Sequence, residues 1–241
     1  MVSFISDGHQ FIHQKGSPGW RSSDTEMFPI IGPLDQAGFK VKTPMGEAVQ
    51  DQHGLLRQMP YSLVEKSMDS ARFIKDYKAG SPVENSKYPE KSTEPKMDWP
   101  YNFVFEKSFF LKEDSLEIVF RIVGEKGMPF MLGYHPAFKL YSKEPIVRTK
   151  DREITLKEIL AVGSRALQLE DCNSVTLRDA REITLKTEGF GHFMCWTEVE
   201  NMVCLEPITF YPYAVEQQEL HRGFRNLEGS TEFRVVLRPG I

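Results

Sequence analysis

Short apolar runs with polar residues at alternate positions recur along the whole chain, while long stretches with apolar residues three and four apart are scarce. Strict alternation is the mark of a half-buried strand. The clearest case is "YNFVFEKSFFLKEDSLEIVFRIVGEKG", residues 101–127. Phe103 and Phe105, then Leu116, Ile118 and Phe120, stand two apart, and Glu113-Asp114-Ser115 interrupts them where a hairpin turn belongs. "REITLK" occurs twice, at 152–157 and 181–186, and both copies alternate as strands do. Their flanks do not repeat, so the recurrence reflects strand composition and not an array of repeats. "TEFRVVLRPG" closes the chain as a further strand. The one helical candidate is "SLVEKSMDSARF", residues 62–73. Many strands with few helices predict an all-β protein built from two packed sheets.

Residues 75–100, "KDYKAGSPVENSKYPEKSTEPKMDWP", are rich in Pro, Lys, Glu and Ser, the composition of a long surface loop or a ragged edge strand. The character of the chain is the same on both sides. The expectation is therefore one domain spanning residues 1–241 with a long insertion. At 241 residues a single all-β domain with a substantial core is of ordinary size.

Thirty basic against thirty-four acidic residues leave a formal charge of -4, which gives no attraction to nucleic acid or to an anionic membrane surface. An anionic ligand would have to be met by local arginines. Cys172, Cys195 and Cys204 are odd in number and form no CxxC pair, so reduced thiols are expected and not a disulfide framework or a structural zinc site. The first twenty residues do not read as a signal peptide, and no apolar run is long enough to span a bilayer. The cytoplasm is the expected location. There is no Gly-rich phosphate loop, nucleophile elbow or metal-ligand spacing, so neither a metal nor a cofactor is expected.

Three stretches place ionisable residues among apolar or turn-forming neighbours. "DQHGLLRQMPY" carries His53, Gly54 and Arg57, a set suited to an anion or to sugar hydroxyls, or to a plain surface turn. "MPFMLGYHPAF" holds His135 before Pro136, which favours extended backbone. An imidazole there can exchange protons near neutral pH, or serve as a core histidine bonded to a carbonyl. "ENMVCLEPITFYP" puts Glu206 at the end of an apolar strand, where a carboxylate is costly unless it is paired, functional or able to reach water. Together, a histidine and a glutamate at strand ends form the acid and base needed to move protons on a polyol.

These stretches resemble the aldose 1-epimerase (galactose mutarotase-like) family. "MPFMLGYHPAF" resembles its histidine motif, "QHGLLR" its HGFAR-type stretch, "VCLEP" its glutamate strand and "EMFPIIGPL" its FPxxG segment, in the family's order and over most of the chain from about Trp20 onward. The resemblance implies a galactose mutarotase-like β-supersandwich with few short helices, and the interconversion of α and β anomers of an aldose. It implies His135 as general acid towards the ring oxygen, Glu206 as general base towards the C1 hydroxyl, and His53 near the ring oxygen. Arg57 matches the arginine that binds substrate in the hexose-6-phosphate branch. Arg21 matches the arginine before FPxxG in that branch, though "SSDTEM" follows it where the branch has a glycine pair. Trp196, ten residues before Glu206, is a candidate platform for a sugar face, with Tyr211 and Tyr213 after the glutamate. Asp171 is a candidate third acid. The partner implied is a small sugar or sugar phosphate. Most members run longer before the Trp20 region, with an additional strand pair; the resemblance therefore implies a cleft edge here that is either open or covered by a second subunit in a homodimer. A hexose-6-phosphate 1-epimerase is the alternative within the class, and a non-catalytic carbohydrate-binding protein is the alternative outside it.

Overall fold

The computed structural model of the chain describes residues 1–22 and 24–240. Two large antiparallel sheets pack face to face. The larger has nine strands in the order Glu153–Thr155, Ile146–Arg148, Ser174–Arg178, Glu182–Glu188, Ser230–Pro239, Leu116–Gly124, Phe103–Leu111, Ser70–Tyr77, Ser62–Lys66. The smaller has five, in the order Leu167–Leu169, His192–Trp196, Met202–Ile208, Gly133–Lys139, Asp24–Met27. The all-β expectation holds, with one α-helix, Leu156–Val162, and short 3₁₀ turns among the described residues. No helix among those residues is long and apolar enough to cross a membrane.

The hairpin read from residues 101–127 forms as expected. Phe103–Leu111 pairs with Leu116–Gly124 in a register that closes at Leu111 and Leu116. Phe103, Phe105, Ile118 and Phe120 are buried against the smaller sheet's inner residues, such as Tyr134, whose ring lies 5.1 Å from that of Phe120. Each such side chain contributes roughly 1.5–3 kcal/mol on burial.

Three expectations are corrected. Residues 62–73 are not a helix but a hairpin, Ser62–Lys66 and Ser70–Tyr77. The Ser67 hydroxyl bonds Asp69 at 2.7 Å and the Ser67 amide bonds the Ser70 carbonyl at 2.8 Å, which closes the turn. Phe103–Leu111 then captures the second strand from Ser70 to Tyr77, while Leu63 and Val64 stay exposed on the edge. The segment 75–100 does not begin as a loop: Lys75 is buried within Ser70–Tyr77, and the remainder carries a small ribbon, Val83–Glu84 against Lys96–Met97. The two copies of "REITLK" also diverge. From Glu182 onward the second lies in the strand Glu182–Glu188, whereas the first leaves its strand at Thr155 and enters the helix. Thr155 accepts from the Glu158 amide while Glu158 reaches back to the Thr155 amide, a capping box. The second copy has Thr187 where that glutamate would stand.

The inner face of the small sheet is not wholly apolar. The Asp24–Met27 strand is its edge, and Asp24 and Glu26 point into the sandwich. The buried Lys107 ammonium meets both, at 2.6 Å and 2.5 Å. Burial alone would raise the Asp24 pKa, but the charges and hydrogen bonds of Lys107 and of the Met1 amino group together outweigh it and take the group down to about 2. The Met1 amino group also contacts Asp24. Lys75 completes the cluster, 3.7 Å from Glu26, bonded to the Leu56 carbonyl at 2.9 Å and 4.0 Å above the Tyr61 ring. Lys107→Met, which keeps the volume but removes the charge, leaves two buried carboxylates undercompensated. Urea denaturation at pH 7 should show a loss of roughly 3–5 kcal/mol. A loss below about 1 kcal/mol would mean that the cluster does not hold the edge strand.

Candidate active site

Side chains alternate across a strand, and in the small sheet this sorts them into two populations. Tyr134 and Phe138 face the core, and His135 faces the other way. Likewise Val203 and Leu205 are core, while Cys204 and Glu206 open to the outer face. The pairs Gly133–Ile208 and Ala137–Cys204 bracket His135 and Glu206 and bring them opposite each other. His135 Nε2 lies 3.2 Å from Glu206 Oε1. Thr25, opposite His135 on the edge strand, presents its side chain to the same space, while its neighbours Asp24 and Glu26 point inward to Lys107.

This face floors a cavity of about 310 Å³. His53, Arg57 and Trp196 line it, and Arg21 reaches its rim. The His53 ring is edge-on to His135 with centroids 5.3 Å apart, and Trp196 stands 6.0 Å from His135 on the other side. Tyr213 also lines the cavity, whereas Asp171 lies in a separate surface groove. Arg21 is exposed and paired with Glu198 at 3.2 Å.

His53 is held by a turn with little freedom. Its own φ is +75°, and Gly54 follows at +71°. A Cβ on Gly54 would sit 2.2 Å from the Phe28 carbonyl oxygen, so only glycine fits. The Phe28 amide donates to the His53 carbonyl at 3.1 Å, tying the turn to the end of the edge strand. Asp51 secures it from the other side. Its carboxylate accepts from Asn85 at 2.9 Å and from Lys87 at 3.0 Å, so the long insertion docks on the His53 turn. Lys87 thereby becomes a wall of the cavity. The sequence held no signal for it, because it lies in the low-complexity insertion. Cys204 could have been found: two residues before Glu206 on one strand puts it on the same face.

The electrostatics favour neutral groups at the floor. Burial pushes the Glu206 carboxyl well above its ordinary value. Burial also pushes His135 down to about 4, with Arg57 adding to the shift and a hydrogen bond to its own backbone opposing it. His53 is lowered as well, by burial and then by the charges of its neighbours. The Glu206 and His135 shifts both favour the neutral forms, so a carboxyl lies in direct contact with an imidazole nitrogen. Arg57 has a single long bond, 3.5 Å to the Gln52 carbonyl, and no carboxylate within ion-pair distance among the described residues. Lys87 shares its charge with Asp51 and also donates to Gln52 Oε1 at 3.0 Å. One wall thus presents two cations, of which Arg57 is unpaired.

The aldose 1-epimerase family profile matches residues 34–207, a span that includes His53, Arg57, His135 and Glu206. No curated protein sequence matches the chain. Among solved structures, a galactose mutarotase-like protein from Lactobacillus casei superposes with a TM-score of 0.77 at 16% identity, over 97% of this chain and 90% of that one. A galactose mutarotase related enzyme from Lactobacillus acidophilus gives 0.75 at 17% identity, over 98% and 88%. A galactose mutarotase-like protein from Clostridium acetobutylicum gives 0.59 at 15% identity, over 90% and 79%. At these identities the likeness is one of fold.

The depressed histidine has a thermodynamic signature. From its ordinary 6.5 downwards, the unfolded chain protonates this imidazole, whereas the folded chain does so only near 4. Stability contributed by this group therefore falls as pH drops from 6.5 to about 4, then levels. Glu206 slopes the other way, losing stability as pH rises above its ordinary 4.5. Urea denaturation at pH 7 and pH 4.5 should show His135→Asn losing less on acidification than the wild type, by on the order of 2 kcal/mol. Equal losses would mean that the fold does not hold the imidazole neutral.

Proposed function

The chain belongs to the aldose 1-epimerase family, and from that premise we propose that it interconverts the α and β anomers of an aldose by acid–base ring opening. The observation that carries this reading is the His135–Glu206 pair at the cavity floor, 3.2 Å apart. Mutarotation needs an acid and a base that can exchange roles. One proton must leave the C1 hydroxyl and one must reach the ring oxygen, with no net change. As the C1 hydroxyl approaches, the carboxyl proton passes across the short contact to His135 Nε2, which leaves Glu206 as the base and His135 as the acid. Glu206 takes the hydroxyl proton, the C1–O5 bond breaks, and His135 protonates the ring oxygen. The open aldehyde rotates about C1–C2, and closure with the roles reversed attacks the other carbonyl face. Each positioned group contributes roughly 10²–10⁴-fold. Trp196 and Tyr213 offer rings to the apolar sugar face.

A second reading, a hexose 6-phosphate as substrate, is favoured by Arg57 and Lys87 on one wall. Arg57 has no carboxylate partner, so an anionic substituent would complete it.

Anomer exchange followed by NMR on α-glucose, α-galactose and glucose 6-phosphate separates these readings. Wild type should accelerate exchange saturably, and His135→Asn and Glu206→Gln should each lower kcat by roughly 10²–10⁴-fold. No acceleration of any sugar overturns the reading. Arg57→Gln should raise KM for the phosphorylated sugar by roughly 10-fold or more and leave a neutral sugar nearly unaffected. Equal effects on both would remove the phosphate reading.

A further inference from the structure

Glu206 is almost fully buried, and His135 is its one polar partner among the described residues. Cys204, on the same strand face two residues earlier, is also buried and lines the same cavity. Its partners across the ladder are Ala137 on one side and Trp196 on the other. One ring nitrogen of His135, the Cys204 sulfur and a Glu206 oxygen all lie within 4.8 Å of one another. Cys204 has no task in the proton transfer described above.

We propose that His135 Nε2, Glu206 and Cys204 Sγ form a binding site for one divalent cation of the zinc class, open to the cavity at its fourth position. The donor set selects the metal. A thiolate and an imidazole suit zinc or cobalt, whereas magnesium and calcium take oxygen ligands. Three protein donors with a vacant position facing solvent are the stoichiometry of an open zinc site. The geometry is within reach. Metal bonds of about 2.0–2.3 Å in a tetrahedron separate the donors by roughly 3.3–3.6 Å. The His135–Glu206 contact at 3.2 Å is already there, and the widest donor pair, at most 4.8 Å, has to close by about 1 Å. Side-chain torsions supply that movement, because two adjacent central strands fix the backbone positions. Binding displaces the thiol and carboxyl protons into solvent.

The functional consequence rests on the mutarotase reading. The metal would occupy the imidazole and carboxylate lone pairs that must accept sugar protons. The ion is then an inhibitor competing with sugar and not a cofactor.

The test separates the two ideas. Cobalt(II) added to the metal-free protein should give a one-to-one complex with a thiolate-to-cobalt charge-transfer band, displaced by zinc. The band needs no sugar, so it stands or falls independently of mutarotase activity. Cys204→Ser should abolish it and weaken zinc binding by at least about tenfold, while Cys172→Ser should leave it unchanged. If Cys204→Ser does not fold, by far-ultraviolet circular dichroism, His135→Asn carries the test through the nitrogen ligand. A missing band, or a band that survives the loss of a ligand, overturns the site. Zinc binding without competition against sugar would keep the site and overturn the inhibitory role.

Discussion

The structure depends on one constraint: the strands of the five-stranded sheet, all but Leu167–Leu169, have one face in the apolar sandwich and the other on a cavity. Alternation forces the two populations apart. Tyr134, Phe138, Val203 and Leu205 anchor the strands in the core, which leaves His135, Cys204 and Glu206 no direction but outward. A one-residue slip between Gly133–Lys139 and Met202–Ile208 would bury the imidazole and carboxylate and expose the anchors. The apolar residues around His135 in the sequence therefore fix its direction. They are its support and not its environment.

The edge strand Asp24–Met27 uses the same alternation with the opposite chemistry. It places Thr25 beside His135 and sends Asp24 and Glu26 inward to Lys107, which rises from the larger sheet. An ion cluster this deep is expensive to desolvate and directional once formed. Apolar contacts alone would let an edge strand slide, whereas two carboxylates flanking one ammonium fix its position along the strand axis.

The third support comes from the insertion. Asp51 sits where the His53 turn, Asn85 and Lys87 meet, so a segment with the composition of a loop fixes the geometry of a site residue. It also gives the cavity an uneven charge distribution. Lys87 and Arg57 stand on one wall, while Arg21 at the rim is neutralised by Glu198. The cations stand on that wall, and the His135–Glu206 pair lies on the floor.

Much of this was legible from residue order. Period-two alternation gave the all-β class and the 101–127 hairpin, because burial on one strand face is a local pattern. His53, Arg57, His135 and Glu206 stood out as ionisable residues among apolar or turn-forming neighbours, and the structure brings all four to one cavity. What the sequence could not supply was pairing. Residues 62–73 became a hairpin because the strand 103–111 was there to capture them. One "REITLK" copy ran into a helix because a glutamate followed it. Lys107 became the centre of a buried cluster only when two distant carboxylates were folded over it. Lys87 joined the cavity on the same terms. Backbone periodicity is encoded within a few neighbouring residues, so the sequence determined which faces are apolar. Contacts between strands far apart in the chain depend on register and sheet order, so only the tertiary structure decided which charges meet, and where.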